Sequence, residues 1–380
     1  MKSLLVTLLG LGTLATAADS ARQEVDAFAV HMFAALADTQ QRNVVFSPSS
    51  IESVLRLLQQ GARGRTAEEI AALPLGGANV KSTIATQEAN AVFLAEDTKL
   101  KPGIKVEEIR RVPFSAAPGK AISVINEWAK VKTHGRIPTI LTADDVSADT
   151  RMVASSAIYL KAQWSKTFDP DYTRNNAPFH MADGNTAQVD LMWQRGELRY
   201  AEGENWQAVA LFYEEEPGSA AGSVPTCFIG ILPRQSDARE FARTLTPETY
   251  QTIRQALAGG YPQDTIVYLP KFEITTATFT LVPALKKCGV TTAFSSQADF
   301  SGWTDRPLML SDVLQRCFIR LDEDGTEAAA VTLAVAEEGC CADEEPSKPN
   351  RICFNRPFIW LIGDLQSDGV PYFMGLYEQP

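Results

Sequence analysis

Only three imidazoles, His31, His134 and His180, are available for proton-transfer chemistry in a chain of 380 residues. His31 lies beside an apolar stripe at helical spacing, and the other two stand in polar, turn-like contexts. None of the patterns that make such a group reactive accompanies them. There is no Gly-x-Ser-x-Gly elbow to present a nucleophile, no glycine-rich phosphate loop, no His-x-x-x-His pair and no Cys-x-x-Cys. A dispersed carboxylate pair leaves no motif and stays open. The residues therefore read as those of a protein that is not an enzyme and calls for no cofactor or metal.

One polar side chain stands out by position. In "SDVLQRCFIRLDE", alternation places Val313, Gln315, Cys317, Ile319 and Leu321 on one strand face, so an amide interrupts an apolar surface. If buried it needs hydrogen-bond partners, and the hydroxyls of Ser47, Ser50 and Ser156, each beside an apolar segment, are candidates. The alternative is a strand-end glutamine that is simply exposed. Sulfur is the other reactive element. Cys227, Cys288 and Cys317 sit in apolar surroundings and read as buried thiols, whereas Cys340, Cys341 and Cys353 fall in a polar stretch.

The run "DEDGTEAAAVTLAVAEEGCC", residues 322–341, satisfies two incompatible patterns. As a helix it has Asp324 as cap, Glu327 three residues on, and an alanine-rich continuation. At period two, Thr326, Ala328, Ala330, Thr332, Ala334 and Ala336 line one face, all small and uncharged, with Glu327, Val331, Leu333, Val335 and Glu337 on the other.

The elements around these residues describe one continuous mixed domain without repeats or linkers. Ser20 with Gln23 reads as a capping box opening a helix whose apolar face is Val25, Phe28, Ala29, Met32, Phe33 and Leu36. Ser47 and Pro48 open a second, with Ile51, Val54, Leu55 and Leu58 on one face and Gly61 as its stop. Thr66 and Glu69 cap a shorter third. Strands follow at "RMVASSAIYL", "TCFIGILP", "TIVYLPKFEI", "RCFIRL", and a final pair, "FIWLIGD" and "PYFMGLYE", joined by the turn "QSDG". The net charge of −11 argues against nucleic acid, which needs a basic stripe. The first 17 residues combine one lysine, a short apolar core and Ala15-Thr16-Ala17, as in a removed signal peptide. No later apolar stretch approaches the roughly 18 residues a membrane span needs. The expectation is an exported, soluble protein, secreted or periplasmic.

Nine segments then resemble, in order, those of the serpin family: "NVVFSPSSI", "GARGRTAEEI", "THGRI", "AIYLKAQW", "VYLPKFEI", "ADFSG", "DEDGTEAAAVT", "FNRPF" and "PYFMGLY". The resemblance spans nearly all of residues 18–380. It implies a mixed α+β fold of three β-sheets and eight to nine helices, with an exposed reactive loop at about 323–353 that baits a serine protease. Once cleaved, the loop of such a protein inserts into the large sheet as a new strand and traps the protease as an acyl-enzyme. Thirteen residues from Thr326 to Glu338 would make a strand of roughly 43 Å at about 3.3 Å each. The hinge is then Glu323, Gly325, Thr326, Glu327, Ala328, Ala329, Ala330 and Thr332, and an inhibitor, rather than a non-inhibitory carrier, chaperone or structural member, is implied by the absence of bulk, charge and proline on its inward face.

The resemblance also assigns Ser47, Ser50, Ser156, Gln315 and Trp164 to a switch under the large sheet, rebuilt here because Gln315 stands where the family usually has histidine and Ser156 where it usually has asparagine. Residues 74–88 are too short and too rich in glycine and threonine for the helix that carries heparin sites in some members, so glycosaminoglycan activation is not expected. A monomer is. The usual family count from Glu323 ends on Gly339, with cleavage before Cys340. A count one shorter ends on Glu338, with cleavage before Gly339. Glycine offers a specificity pocket nothing to hold, and the segment from Asp322 to Cys353 carries nine acids against Lys348 and Arg351. A glutamyl-specific or similarly basic-pocketed protease is therefore the expected target, with an elastase-like enzyme accepting Val335 or Ala336 as competitor. Cys340 and Cys341 cannot bond to each other without ring strain. Either could pair with Cys353 in an oxidising compartment, the alternative being free thiols.

Overall fold

The computed structural model describes residues 17–40, 42–75, 84–104, 107–216, 225–235, 237–326, 348–365 and 371–380, with the side chains of 17–26 and 85–87 set aside. The chain opens with α1 (Ala17–Thr39), β1 (Val44–Phe46), α2 (Pro48–Gly61), α3 (Gly64–Ala71), β2 (Ala85–Ala95), β3 (Ile109–Val112) and α4 (Pro118–Lys132). It continues through β4 (Met152–Gln163), β5 (Arg174–His180), β6 (Thr186–Glu202), β7 (Trp206–Phe212), β8 (Thr226–Pro233), α5 (Ala238–Thr244), α6 (Pro247–Gly259), β9 (Gln263–Pro270), β10 (Phe272–Thr275), β11 (Phe279–Thr280) and α7 (Val282–Lys287). It closes with β12 (Asp312–Leu321), β13 (Gly325–Thr326), β14 (Asn350–Cys353), β15 (Phe358–Asp364) and β16 (Phe373–Tyr377), and two short 3₁₀ turns sit at Pro170–Tyr172 and Thr292–Phe294.

Seven strands form one sheet in the order β10-β12-β13-β4-β2-β3, with β11 on β12. The other nine run β1-β16-β15-β8-β7-β6-β9-β14, with β5 on β6. The 17-residue β6 serves two sheets at once: its last four residues, from Arg199 to Glu202, pair with β7 while the stretch before them pairs with β9 and β5. Three sheets are thus recognisable, two of them joined through β6.

The seven-stranded sheet is covered on both faces. On one, Ile125, Trp128 and Ala129 of α4 pack against Phe93, Val153, Ala157 and Leu314. On the other, Ile51, Val54, Leu55 and Leu58 of α2 pack on Val92, Leu94, Ala154 and Val313. Further along that same face a separate apolar cluster begins, with Ile158, Leu160, Cys317, Ile319 and Leu321. The border between the two clusters falls between Val313 and Cys317 on β12 and between Ala154 and Ile158 on β4, which is where Gln315 and Ser156 stand.

Several local expectations change. Ser20 lies within α1 (Ala17–Thr39), as an interior residue and not its cap. Ser47 does cap α2, its hydroxyl accepting from the Ser50 amide at 3.2 Å. Gly61 ends that helix for a packing reason, since a Cβ there would meet the Trp303 indole at 2.2 Å. Thr66 and Glu69 do not cap α3, whose N-cap is Arg63. Both point instead to the other end of the chain: Thr66 accepts from the Asp299 amide, and Glu69 accepts from the amides of Thr291 and Thr292 at 2.8 and 2.7 Å. The final strand pair is as expected, whereas the "QSDG" turn lies outside the described residues.

Candidate functional site

Strands β4 and β12 lie side by side and parallel, paired from Asp312↔Val153 to Phe318↔Tyr159. Beyond Tyr159 they part, and β13 sits in the gap. Thr326 pairs with Leu321 of β12 and with Ala162 of β4, and Gly325 pairs with Gln163, antiparallel to both neighbours. The approach is too close for any side chain at 325. A Cβ there would lie 2.1 Å from the Ala162 carbonyl oxygen, and the backbone has a φ of +153°.

The residues around this mouth bind the segment from Asp322 to Thr326. The amide of Trp164 donates to Asp324 O at 2.9 Å, its indole Nε1 to Asp322 O at 3.0 Å, and the amide of Phe168 to Glu323 O at 2.9 Å. The Trp164 ring stacks on Tyr213, centroids 4.5 Å apart, and the Tyr213 hydroxyl meets Thr326 Oγ1 at 2.7 Å in a fully buried pair. Burial pushes the Tyr213 phenol far up, so it stays neutral. Glu323 is gripped by Lys271 Nζ at 2.7 Å and by the Thr173 hydroxyl at 2.7 Å. Burial alone would raise that carboxyl, but these two hydrogen bonds outweigh it and hold Glu323 below the ordinary carboxylate range.

The closed part of the seam is fastened by the polar cluster. Gln315 is fully buried. Its Oε1 accepts from the Ser47 amide at 3.0 Å, and its Nε2 donates to Ser47 O and to Ser156 Oγ, both at 3.3 Å. Ser156 in turn touches Ser50 Oγ, and Ser50 donates to Asn90 Oδ1 at 2.8 Å. Asn90 Nδ2 donates to Glu88 Oε2 at 3.3 Å, and Glu88 also accepts from Ser49 at 2.9 Å and Ser53 at 3.4 Å. Ser47, Ser50, Ser156 and Gln315 are therefore one cluster, as their residue types suggest. Trp164 is not part of it. It stands just beyond the end of β4, eight residues past Ser156, about 26 Å along an extended strand, and belongs to the mouth.

Sequence reasoning missed Glu88, Asn90, Tyr213, Thr173 and Lys271. A signal existed for the first two, since Glu88 and Asn90 alternate with Ala89 and Ala91 in "TQEANAVFLA" and share a face with Val92, which packs under α2. None existed for Tyr213, Thr173 or Lys271, which approach the hinge only in three dimensions. Glu327, Ala328, Ala329, Ala330, Thr332, Glu338, Gly339, Cys340 and Cys341 lie outside the described residues. Cys353 is half-buried on β14, and burial raises its thiol. Cys227 and Cys317 are buried thiols as expected, while Cys288 is only partly covered and pushed up to about 11 by its burial. The three histidines are exposed, on α1, just after α4 and at the end of β5, so no histidine site is assembled. No cluster of His, Cys, Asp or Glu among the described residues could hold a metal. No helix there is long and apolar enough to cross a membrane.

Comparison with known proteins places this fold in one family. The family model for serpins (serine protease inhibitors) matches residues 23–380. This chain is a serpin. A serpin-like protein of Thermococcus kodakarensis is 32% identical over 94% of this chain and 85% of its own length, and human Serpin B8 is 30% identical over 93% and 97%. Among solved structures, Serpin48 of the insect Tenebrio molitor superposes with a TM-score of 0.78 at 24% identity, covering 96% of this serpin and 99% of that chain, a likeness of fold. The three-sheet architecture expected of the family is the one described above.

Proposed function

We propose that this serpin inhibits a serine protease as a suicide substrate. The protease's serine attacks the scissile carbonyl, the peptide bond is exchanged for an ester, and the new amino terminus leaves. The segment on the N-terminal side then enters the seam between β4 and β12 and carries the protease with it. The observation that carries this reading is the pairing of Gly325 and Thr326 with both strands while the seam beneath remains closed. A strand entering between two parallel strands can be antiparallel to both, and β13 is.

The register begun there supports the rest. Carried onward from Leu321↔Thr326 and Thr326↔Ala162, it sets Ala328, Ala330 and Thr332 on the buried face of Thr326, where charge would be costly. It brings Glu327 to the opposite face, between Lys161 and Arg320, both exposed. It also brings Thr332 between Gln315 and Ser156. Glu327 would thus meet two cations, and Thr332 the polar cluster.

The reactive bond in this reading is Glu338–Gly339 and the target a secreted glutamyl-specific or similarly basic-pocketed protease, met by an exported monomer acting without cofactor. Incubation with glutamyl-specific, elastase-like and trypsin-like proteases tests it. An SDS-resistant adduct with the first, releasing a fragment that begins at Gly339, is expected. A start at Cys340 restores the usual count, and a start at Ala336 or Glu337 favours the elastase-like enzyme. Fragments without adduct from every protease would mark a non-inhibitory serpin.

A further inference from the structure

The hydrogen bonds of the polar cluster have a direction, set from its two ends. At one end the Ser47 backbone pins the Gln315 amide, so that Nε2, a donor, faces Ser156. At the other, Glu88 accepts from Asn90 Nδ2 and so turns Asn90 Oδ1 towards Ser50. A hydroxyl has one hydrogen. Ser50 gives its hydrogen to Asn90, so it accepts from Ser156, which accepts from Gln315. The chain reads Gln315 to Ser156 to Ser50 to Asn90 to Glu88, crossing from β12 through β4 and α2 to β2. Reversed, it would set the Ser156 hydrogen against the Gln315 amide hydrogens.

We propose that Glu88 is a positioning residue for the switch: its carboxylate orients the hydrogen-bond chain that holds β4 against β12, and neutralising that one group eases the opening of the seam. The inference rests on the insertion reading above. Glu88 is well placed for the task, because it lines a cavity of about 560 Å³ through which protons can reach it. Burial pushes its carboxyl above the ordinary value of 4.5, against the hydrogen bonds from Ser49, Asn90 and Ser53. The charged groups that line this cavity with it are Arg56, whose partner is Glu52, on α2, Lys132 on α4, and Glu107, Glu108 and Arg110 at β3.

The sign follows from what opening removes. Glu88, half-buried on β2, loses no bond of its own when the seam opens. The contact that parts is Gln315 to Ser156. Without that donor end Ser156, Ser50 and Asn90 are less ordered, so Asn90 supports the carboxylate less and the open seam holds the proton more tightly than the closed one. Acid therefore favours opening, over a window above 4.5 where the raised carboxyl titrates.

A labelled synthetic peptide with the sequence of residues 326–338, added to the intact protein, probes the seam directly, because it can anneal only where β4 and β12 part. For the wild type the annealing rate should rise as the pH is lowered from neutral, by up to about tenfold once Glu88 is protonated, the equivalent of losing one charge-assisted hydrogen bond. Glu88→Gln should anneal at the fast rate already at neutral pH and show a flat profile. Glu107→Gln, which lines the same cavity, should keep the wild-type profile. A Glu88→Gln protein as slow as wild type at neutral pH, or with the wild-type pH dependence intact, overturns the proposal, as does loss of the dependence in Glu107→Gln. If the peptide anneals to no variant at any pH, the insertion reading fails and this inference with it. Adduct formation with peptide-independent pH behaviour would instead leave insertion standing and refute the role of Glu88.

Discussion

Substituting Thr332 by valine separates the inserted state from the uncleaved one. In the closed seam Gln315 Nε2 reaches Ser156 Oγ directly at 3.3 Å. Inserting a strand between β4 and β12 doubles the spacing of their backbones from about 4.8 to about 9.6 Å, which that contact cannot span. In the register set by Gly325 and Thr326, the Thr332 hydroxyl takes the middle position, able to accept from Gln315 and donate to Ser156. Valine keeps the shape and removes the hydroxyl. Each stranded group would cost about 1–3 kcal/mol. Because Gln315 keeps its two bonds to Ser47 and Ser156 keeps Ser50, the lower end applies to both, a loss of about 2 kcal/mol in all. Guanidinium unfolding of uncleaved and loop-cleaved protein, each with and without Thr332→Val, measures it. The loss should appear in the cleaved form alone. Adding Ala330→Thr, which moves the hydroxyl one inward position away, should not restore it. An unchanged cleaved form, or an equal loss in both forms, would falsify the register.

Three further outcomes follow from the described contacts. Thr326→Arg places a guanidinium in a fully buried site beside Tyr213, and at about 3–5 kcal/mol for an unpaired buried charge it should convert inhibitor to substrate, so an unchanged adduct yield would sink the seating of this segment. Burial alone would raise Glu69, but hydrogen bonds from Thr292, Thr291 and Arg65 lower it to about 2 from 4.5. Its contribution is therefore present above 4.5 and lost as pH falls towards 2, and Glu69→Gln should cost roughly 1–2 kcal/mol at neutral pH, after allowing for solvent screening, a difference from wild type in thermal unfolding that closes in acid. Cys353 is a free thiol in this fold; after the protein has been held in an oxidising buffer, mass analysis with and without reduction should find it bonded to Cys340 or Cys341, and six free thiols would exclude the bridge.

Local pattern determined a good deal of this molecule. The alternation of Val313, Gln315, Cys317, Ile319 and Leu321 marked an amide on an apolar strand face, Ser47 announced the start of α2, and the strand pattern read from Thr326 begins at a residue that does pair as a strand. Such features are legible because side-chain period and capping depend only on near neighbours in the chain. What the pattern could not supply was the partner. Thr66 and Glu69 have the spacing of a cap, yet their acceptors serve residues more than two hundred positions away. Trp164 has the look of a switch residue and belongs to the mouth, because position along β4, and not residue type, decides which end of the seam a side chain meets. The polar cluster needed α2, β2, β4 and β12 brought together before Glu88 and Asn90 could be seen to complete it. Register is the deciding case. Whether Thr326 lies opposite Ala162 or a residue to either side is set by backbone hydrogen bonds to strands that only the folded sheet brings alongside, and a slip of one residue would turn the whole hinge to the other face.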